Sequence, residues 1–265
     1  MILANHGIVS SSGALSFDAD ALAFITVASI TDNTQKTAVN KLVTDFKTYG
    51  IWTKMKAIYP FVGGSASSHK FNLKDPRDLD AAFRLVFYGG WVHSSTGALP
   101  NGSNAYANTN LVESTSLNSN DSHISFYSRS SNERGAYCDI GAADGTTQSN
   151  IFPNLANTFL PRIQAYNSGI AVSLDTTGLF MANRVNSTQV QGWRNTTKYT
   201  ISSTSTGRAT VPFWLADLNL NNTSGGVKSL KEQAFASIGD GLTDAEASNF
   251  YTAVQLFNTT LNRQV

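Results

Sequence analysis

The spacing of apolar positions changes along the chain, and the change separates a helical beginning from a β-rich remainder. Val39, Leu42, Val43 and Phe46 recur at three- and four-residue intervals, the stripe of an amphipathic helix. Thr31 or Asp32 can cap its start, and Gly50, after Tyr49, is placed to end it with a positive φ. An earlier stretch, 19–29, predicts a further helical turn or two. The run 51–61 is half apolar, meets Pro60 and closes at Gly63-Gly64, which predicts a strand or extended segment.

From about residue 68 the runs become short and turn residues separate them. They are 83–88 ahead of Gly89-Gly90, 105–107 after the Pro100-Asn101-Gly102 turn, 123–128, 136–140, 169–174, 179–185, 190–199, 211–216 and 231–238. No helical pattern lies between them, so the fold class is mainly β, an antiparallel jelly-roll sandwich rather than a parallel α/β sheet. The last signal is the sharpest. Thr243-Asp244-Ala245-Glu246 matches a capping box, and Phe250, Val254, Phe257 and Leu261 continue one apolar stripe. The organisation expected is a helical and extended assembly segment over 1–66, then a sandwich over 67–265 with a closing helix at 243–262, the boundary near 66 being soft.

Composition removes several classes of function. Net charge is +1 with 14% charged residues, too little clustered Lys and Arg to neutralise nucleic-acid phosphates. The most apolar stretch, 21–30, is about half the length a spanning helix needs, so no membrane insertion is expected. The start, MILANHGIVSSSG, lacks the basic flank and apolar block of a secretory leader, which predicts synthesis in a cytoplasm. A single cysteine, Cys138, excludes an intrachain disulfide. Ser, Thr and Asn are unusually frequent, which suits strands with short neutral outer faces and turns built on Asn and Gly. The Asn-x-Ser/Thr sequons are about as numerous as that composition yields by chance, so they do not indicate glycosylation.

Three stretches carry a resemblance. Asn101-Gly102-Ser103-Asn104-Ala105-Tyr106, the hairpin over 179–199, and Phe235 through Glu246 with its helix are similar to laminin-G-like, concanavalin A-like lectin/glucanase jelly rolls. The leading strings YGIWTKMKAIYPFVGG and HKFNLKDPRD resemble the preamble of tailed-bacteriophage virion proteins that carry such a domain. The resemblance implies a non-enzymatic virion structural protein of the tail, a fibre or a head decoration. It would be made in the host cytoplasm and assembled with copies of itself and other virion proteins. The chain departs from the first family in two respects. Asp139, Asp144 and Asp175 are scattered, without calcium-ligand spacing, and no strand carries the alternating carboxylates of sandwich glucanases.

Candidate chemistry is correspondingly thin. The alternative function, a polysaccharide depolymerase on the same fold, needs two convergent carboxylates. The glutamates are only Glu113, Glu133, Glu232 and Glu246, and Glu246 is explained as a helix cap. Gly63-Gly64-Ser65-Ala66-Ser67 misses the nucleophile-elbow pattern at its last position and reads as a loop. His6, His69, His93 and His123 fall singly, so no metal or cofactor is expected. Aromatics remain. Trp214 lies in an apolar run and is expected in the core, whereas Trp91 and Trp193 border glycines and are the better stacking platforms. With Asn104, Tyr106 and Asn195 as neutral hydrogen-bond partners, they form the expected site for a host surface glycan. Affinity per site would be weak and raised by many copies.

Overall fold

A computed structural model describes residues 16–131, 135–145, 147–172 and 175–265. The leader reading on 1–13, Glu133, and Ser173 and Leu174 of the 169–174 run lie outside the described residues.

Each long helix starts where a side chain satisfies the first free N–H groups. The Asp32 carboxylate accepts the Gln35 N–H at 2.8 Å, and Asn33–Thr48 follows until Gly50 takes φ +73°. Asp18 does the same for Ala19–Val27. Asp244–Thr260 opens on the expected reciprocal box, with Thr243 Oγ1 accepting the Glu246 N–H and Glu246 accepting the Thr243 N–H.

The remaining chain forms two sheets packed as a sandwich. The first runs Thr197–Ser202, Gln189–Arg194, Gly178–Arg184, Ser122–Ser128, Gln233–Gly239, Gly97–Pro100, Trp91–Ser94, with Met55–Tyr59 also paired to Gln233–Gly239. The second runs Ile170–Ala171, Thr158–Arg162, Thr147–Leu155, Ile140–Asp144, Pro212–Leu215, Tyr106–Val112, Val86–Tyr88. Pairing within these orders is antiparallel, and Leu218–Leu220 adds one parallel contact to Ile140–Asp144.

Strand alternation decides which core each side chain enters. Ile124 and Phe126 point between the sheets, where Leu111, Ile140, Ile151, Phe159, Phe180 and Phe213 meet them, all fully buried. Tyr127 points the other way, with Leu179, Met181, Trp193 and Phe235. Asn33–Thr48 and Asp244–Thr260 cover that face through Val39, Leu42, Phe46, Phe250, Val254 and Phe257, and the Phe46 and Phe250 rings stack at 5.3 Å. Covering both faces leaves every residue of Ser122–Ser128 buried.

Some boundaries differ from the sequence reading. Met55–Tyr59 is a strand of the first sheet and Asn33–Thr48 packs on the closing helix, so the described residues before 66 are continuous with the sandwich. The run 190–199 splits at Asn195, whose φ of +52° turns the chain between two strands. Only Val86–Tyr88 of 83–88 is a strand, because Phe83 takes φ +60°. After Gly64 the expected loop closes into a short helix, Ala66–His69, through reciprocal bonds of Ser65 and Ser68.

One buried acid makes a prediction. Glu113 is fully buried between Ser149, which donates to both carboxylate oxygens at 2.9 Å, and the Ala209 N–H at 3.0 Å. Burial pushes its carboxyl up to about 7, against those stabilising bonds. Its contribution to stability is therefore whole below the unfolded value near 4.5 and lost as pH rises to about 7. Glu113→Gln removes this titration. Relative to wild type, the variant should gain about 3 kcal/mol between pH 4 and 8 in urea unfolding. A difference independent of pH would show that folding does not raise the Glu113 carboxyl.

Candidate functional site

The edge strand Val86–Tyr88 is where aromatic side chains gather outside the core. Tyr88 lies opposite Tyr106, and Trp214 lies opposite Asn108, so alternation sets Tyr88, Tyr106 and Trp214 on the outer face of the second sheet. Their rings form a continuous stack. Tyr88 and Tyr106 are 4.7 Å apart at 13°, and Tyr106 and Trp214 are 4.0 Å apart at 22°. Trp214, 7% exposed, is the inner end, and Tyr88, 44% exposed, is the open end.

The turns around the stack are fixed from behind. Asn101 Oδ1 accepts the N–H groups of Ser103, Asn104 and Ala105, and Asn104 Oδ1 accepts those of Gly90 and the Asn101 amide. Gly89 has φ +73° and lies so close to this turn that a Cβ there would sit 2.3 Å from the Asn104 carbonyl oxygen. The Trp91 indole N–H donates to the Tyr88 carbonyl at 3.0 Å and approaches that of Tyr106 at 3.4 Å. At the other side Lys228 holds its ammonium 6.0 Å from the Tyr106 ring, anchored by the buried carboxylate of Asp217. Burial, with Tyr88 and Asp217 nearby, raises the Tyr106 phenol, so it stays neutral and can both donate and accept.

Beside Val86 the surface opens into a cavity of about 350 Å³ lined by Ala66, Ser67, Lys70, Arg84, Leu85, Val86 and Phe87. Its charged groups answer one another. Arg84 donates to Asp80 at 2.8 Å and to Asp78 at 2.7 Å, and Lys70 reaches Asp78 at 2.5 Å. Bonds from Lys70 and Arg84 hold the Asp78 carboxyl below its usual range.

The expected site residues divide into two groups. Trp91, Asn104 and Tyr106 come together, but in different roles from those expected. Tyr106 is a ring of the stack, Asn104 orders the adjoining turn, and Trp91 braces the backbone while its ring packs on Phe87 at 5.3 Å. Trp193 and Asn195 lie on the first sheet. Trp193 is 5% exposed beneath the helices, because its position alternates away from Gly192, which sits against Phe159 and Pro161. Asn195 is a turn residue whose Oδ1 accepts the Leu179 N–H at 2.8 Å. Neither offers a free face. Tyr88 and Trp214 are the stack members that sequence reasoning missed. Alternation placed Tyr88 with Val86, but nothing in the sequence says which strand lies beside it.

Among the described residues, the acids that burial raises are not the open ones. Glu113 and Asp139, both raised by burial, are inside the core, whereas Asp78 is open but held ionised. Among the described residues no three His, Cys, Asp or Glu side chains are grouped to hold a metal, and no helix is long and apolar enough to cross a membrane.

The chain is thus a mainly β protein, a two-sheet antiparallel sandwich with helices before and after it. No protein-family model matches it, and no curated protein sequence does. Three solved structures are similar to it in part. Domain 4 of AbnA, a GH43 extracellular arabinanase from Geobacillus stearothermophilus in complex with arabinotriose, is 13% identical with a TM-score of 0.49, over 74% of this chain and 98% of that one. The binding domain of botulinum neurotoxin serotype D is 9% identical with a TM-score of 0.42, over 77% and 51%. The binding domain of Paraclostridial Mosquitocidal Protein 1 is 13% identical with a TM-score of 0.30, over 66% and 45%. At such identities the likeness concerns the fold alone.

Proposed function

We propose that this chain is a non-catalytic β-sandwich module that binds a neutral surface glycan on the Tyr88 end of its aromatic stack, as a component of a bacteriophage virion. The observation that carries the binding is the stack itself, three aromatic rings locked in register on a sheet with one ring open to solvent. A sugar ring presents an apolar face that an aromatic ring can cover, and a platform already held by its neighbours loses little entropy on binding. Neutral amide and phenol groups around it serve sugar hydroxyls without an ion's desolvation cost. The non-catalytic part of the reading rests on the sequence, which carries no alternating carboxylates on a strand, and on the burial of Glu113 and Asp139. The virion setting rests on the sequence resemblance of the leading strings and of the jelly-roll stretches.

A glycan array probed with multimerised protein tests the binding, with Tyr88→Ala as the control variant. Tyr88 is at the open end of the stack, so its loss should leave the fold intact and weaken binding about tenfold, the loss of roughly 1.4 kcal/mol. Full-strength binding by the variant would remove the stack from the site. Turnover of the glycan would favour the depolymerase instead. Mass spectrometry of purified particles tests the setting, since a protein found only in infected-cell lysate would not be a virion component.

A further inference from the structure

The cavity is lined by Val86, two positions along the strand from Tyr88, and its chemistry narrows the ligand. We infer that it receives the acetamido group of an N-acetylated sugar whose ring lies on Tyr88. This rests on the glycan-binding reading and specifies its substrate class.

Continuity comes first. Val86 and Tyr88 are two positions apart on one edge strand and share a face, so their Cα atoms are about 7 Å apart, close to the span of a sugar ring and its substituent. A ring stacked on Tyr88 therefore places a neighbouring substituent over Val86.

The lining selects the substituent. Ala66, Leu85, Val86 and Phe87 supply apolar walls, with Lys70 and Arg84 at the rim. The volume, about 350 Å³, is within the usual range for small-molecule sites, and apolar walls with a few polar groups are their usual composition. Lys70 and Arg84 are balanced by Asp78 and Asp80, so the rim carries no net charge to attract a carboxylated, sulfated or cationic sugar. A neutral group with an apolar end and both a donor and an acceptor matches these surroundings. An acetamido group has all three. Its methyl suits the apolar walls. Arg84 uses Nε for Asp80 and Nη1 for Asp78, which leaves Nη2 as a donor for the acetamido oxygen. Asp80 lies outside the lining but is paired through Oδ1 to Arg84, so its Oδ2 is the nearby acceptor that the proposal assigns to the acetamido N–H.

The experiment is calorimetric titration of the whole protein with an N-acetylglucosamine trisaccharide and with the glucose trisaccharide of the same linkage. Wild type should bind the acetylated sugar about tenfold more tightly, a difference of roughly 1.4 kcal/mol. Ala66 and Ser67 are exposed, so Ala66→Phe and Ser67→Trp can fill the cavity without disturbing the core. Each should bring the acetylated sugar down to the level of the other and leave the glucose sugar unchanged. Tyr88→Ala should weaken both. Equal binding of the two sugars, unmoved by either filling variant, overturns the acetamido inference while the platform reading stands. Binding of neither sugar, or binding that Tyr88→Ala leaves intact, overturns both.

Discussion

Replacing Arg263 with alanine is expected to lower the stability of the fold by about 4 kcal/mol. The side chain is fully buried and fans out to four acceptors on three elements. Nη1 donates to the Phe61 carbonyl at 2.8 Å, Nη2 to those of Pro60 and Ala234 at 2.7 Å each, and Nε to Asn258 Oδ1 at 2.9 Å. Among the described residues no carboxylate hydrogen-bonds to it. The carbonyls carry the compensation, helped by its place just past the C-terminal end of Asp244–Thr260, where the helix dipole favours a cation. Burial lowers its pKa to about 9, so it remains charged at neutral pH. Truncation strands several buried acceptors at about 1–3 kcal/mol each, and partial rehydration keeps the total below their sum. Arg263→Lys should recover only a fraction, because an ammonium cannot spread over the same fan. Urea unfolding reads both variants. A loss under about 1 kcal/mol for the alanine variant would mean that water replaces the guanidinium at little cost.

Acidification should act on a similar scale. His123 is fully buried as a neutral ring, with Nδ1–H donating to the Asp240 carbonyl at 2.6 Å and Nε2 beside Ser237 Oγ at 3.2 Å. Burial lowers its pKa to about 4. His69 is lowered to about 3 by burial and then by His93 and Arg263 nearby. Both groups take up a proton more readily in the unfolded chain. Their stabilising contribution is whole above about 6.5 and is lost as pH falls toward the folded values. His123 alone accounts for about 3 kcal/mol. Glu113 acts with the opposite sign between 4.5 and about 7, so it offsets part of this loss until pH 4.5 and none below. Stability measured from pH 7 to pH 3.5 should therefore decline slowly at first and then steeply. His123→Asn should flatten the profile, and an unchanged slope would show that His123 is not the titrating group. The variant's constant offset at neutral pH, from altered packing, does not enter that comparison.

The local grammar of the chain was legible before any coordinates. Thr31 or Asp32, and Thr243 with Glu246, announced helix starts because a cap is decided by a few neighbouring residues, and the structure selects Asp32 for the first. The stripes through Val39 and Phe250 identified which helix faces would be buried, since period 3.6 is a local property. Alternating runs identified the sandwich class. Chain pairing was another matter. Met55–Tyr59 joined the first sheet across nearly two hundred positions, and its contact with Gln233–Gly239 ties the described part of the leading segment to the sandwich.

The same division runs through the candidate site. Asn101, Asn104 and Tyr106 stood out as a turn and a strand entry, and they lie at the stack. Trp193 also stood out, yet the helices cover it, because burial of a strand face depends on what packs there rather than on flanking glycines. Tyr88, Tyr106 and Trp214 come from three strands, and their stacking required the register that sets Tyr88 opposite Tyr106 and Trp214 opposite Asn108. The amino-acid sequence by itself determined the elements, their caps and their mainly β class, all consequences of neighbours within a few residues. Tertiary structure alone decided which aromatics meet, which acids are buried and where a cavity opens, since each depends on strands brought together from distant parts of the chain.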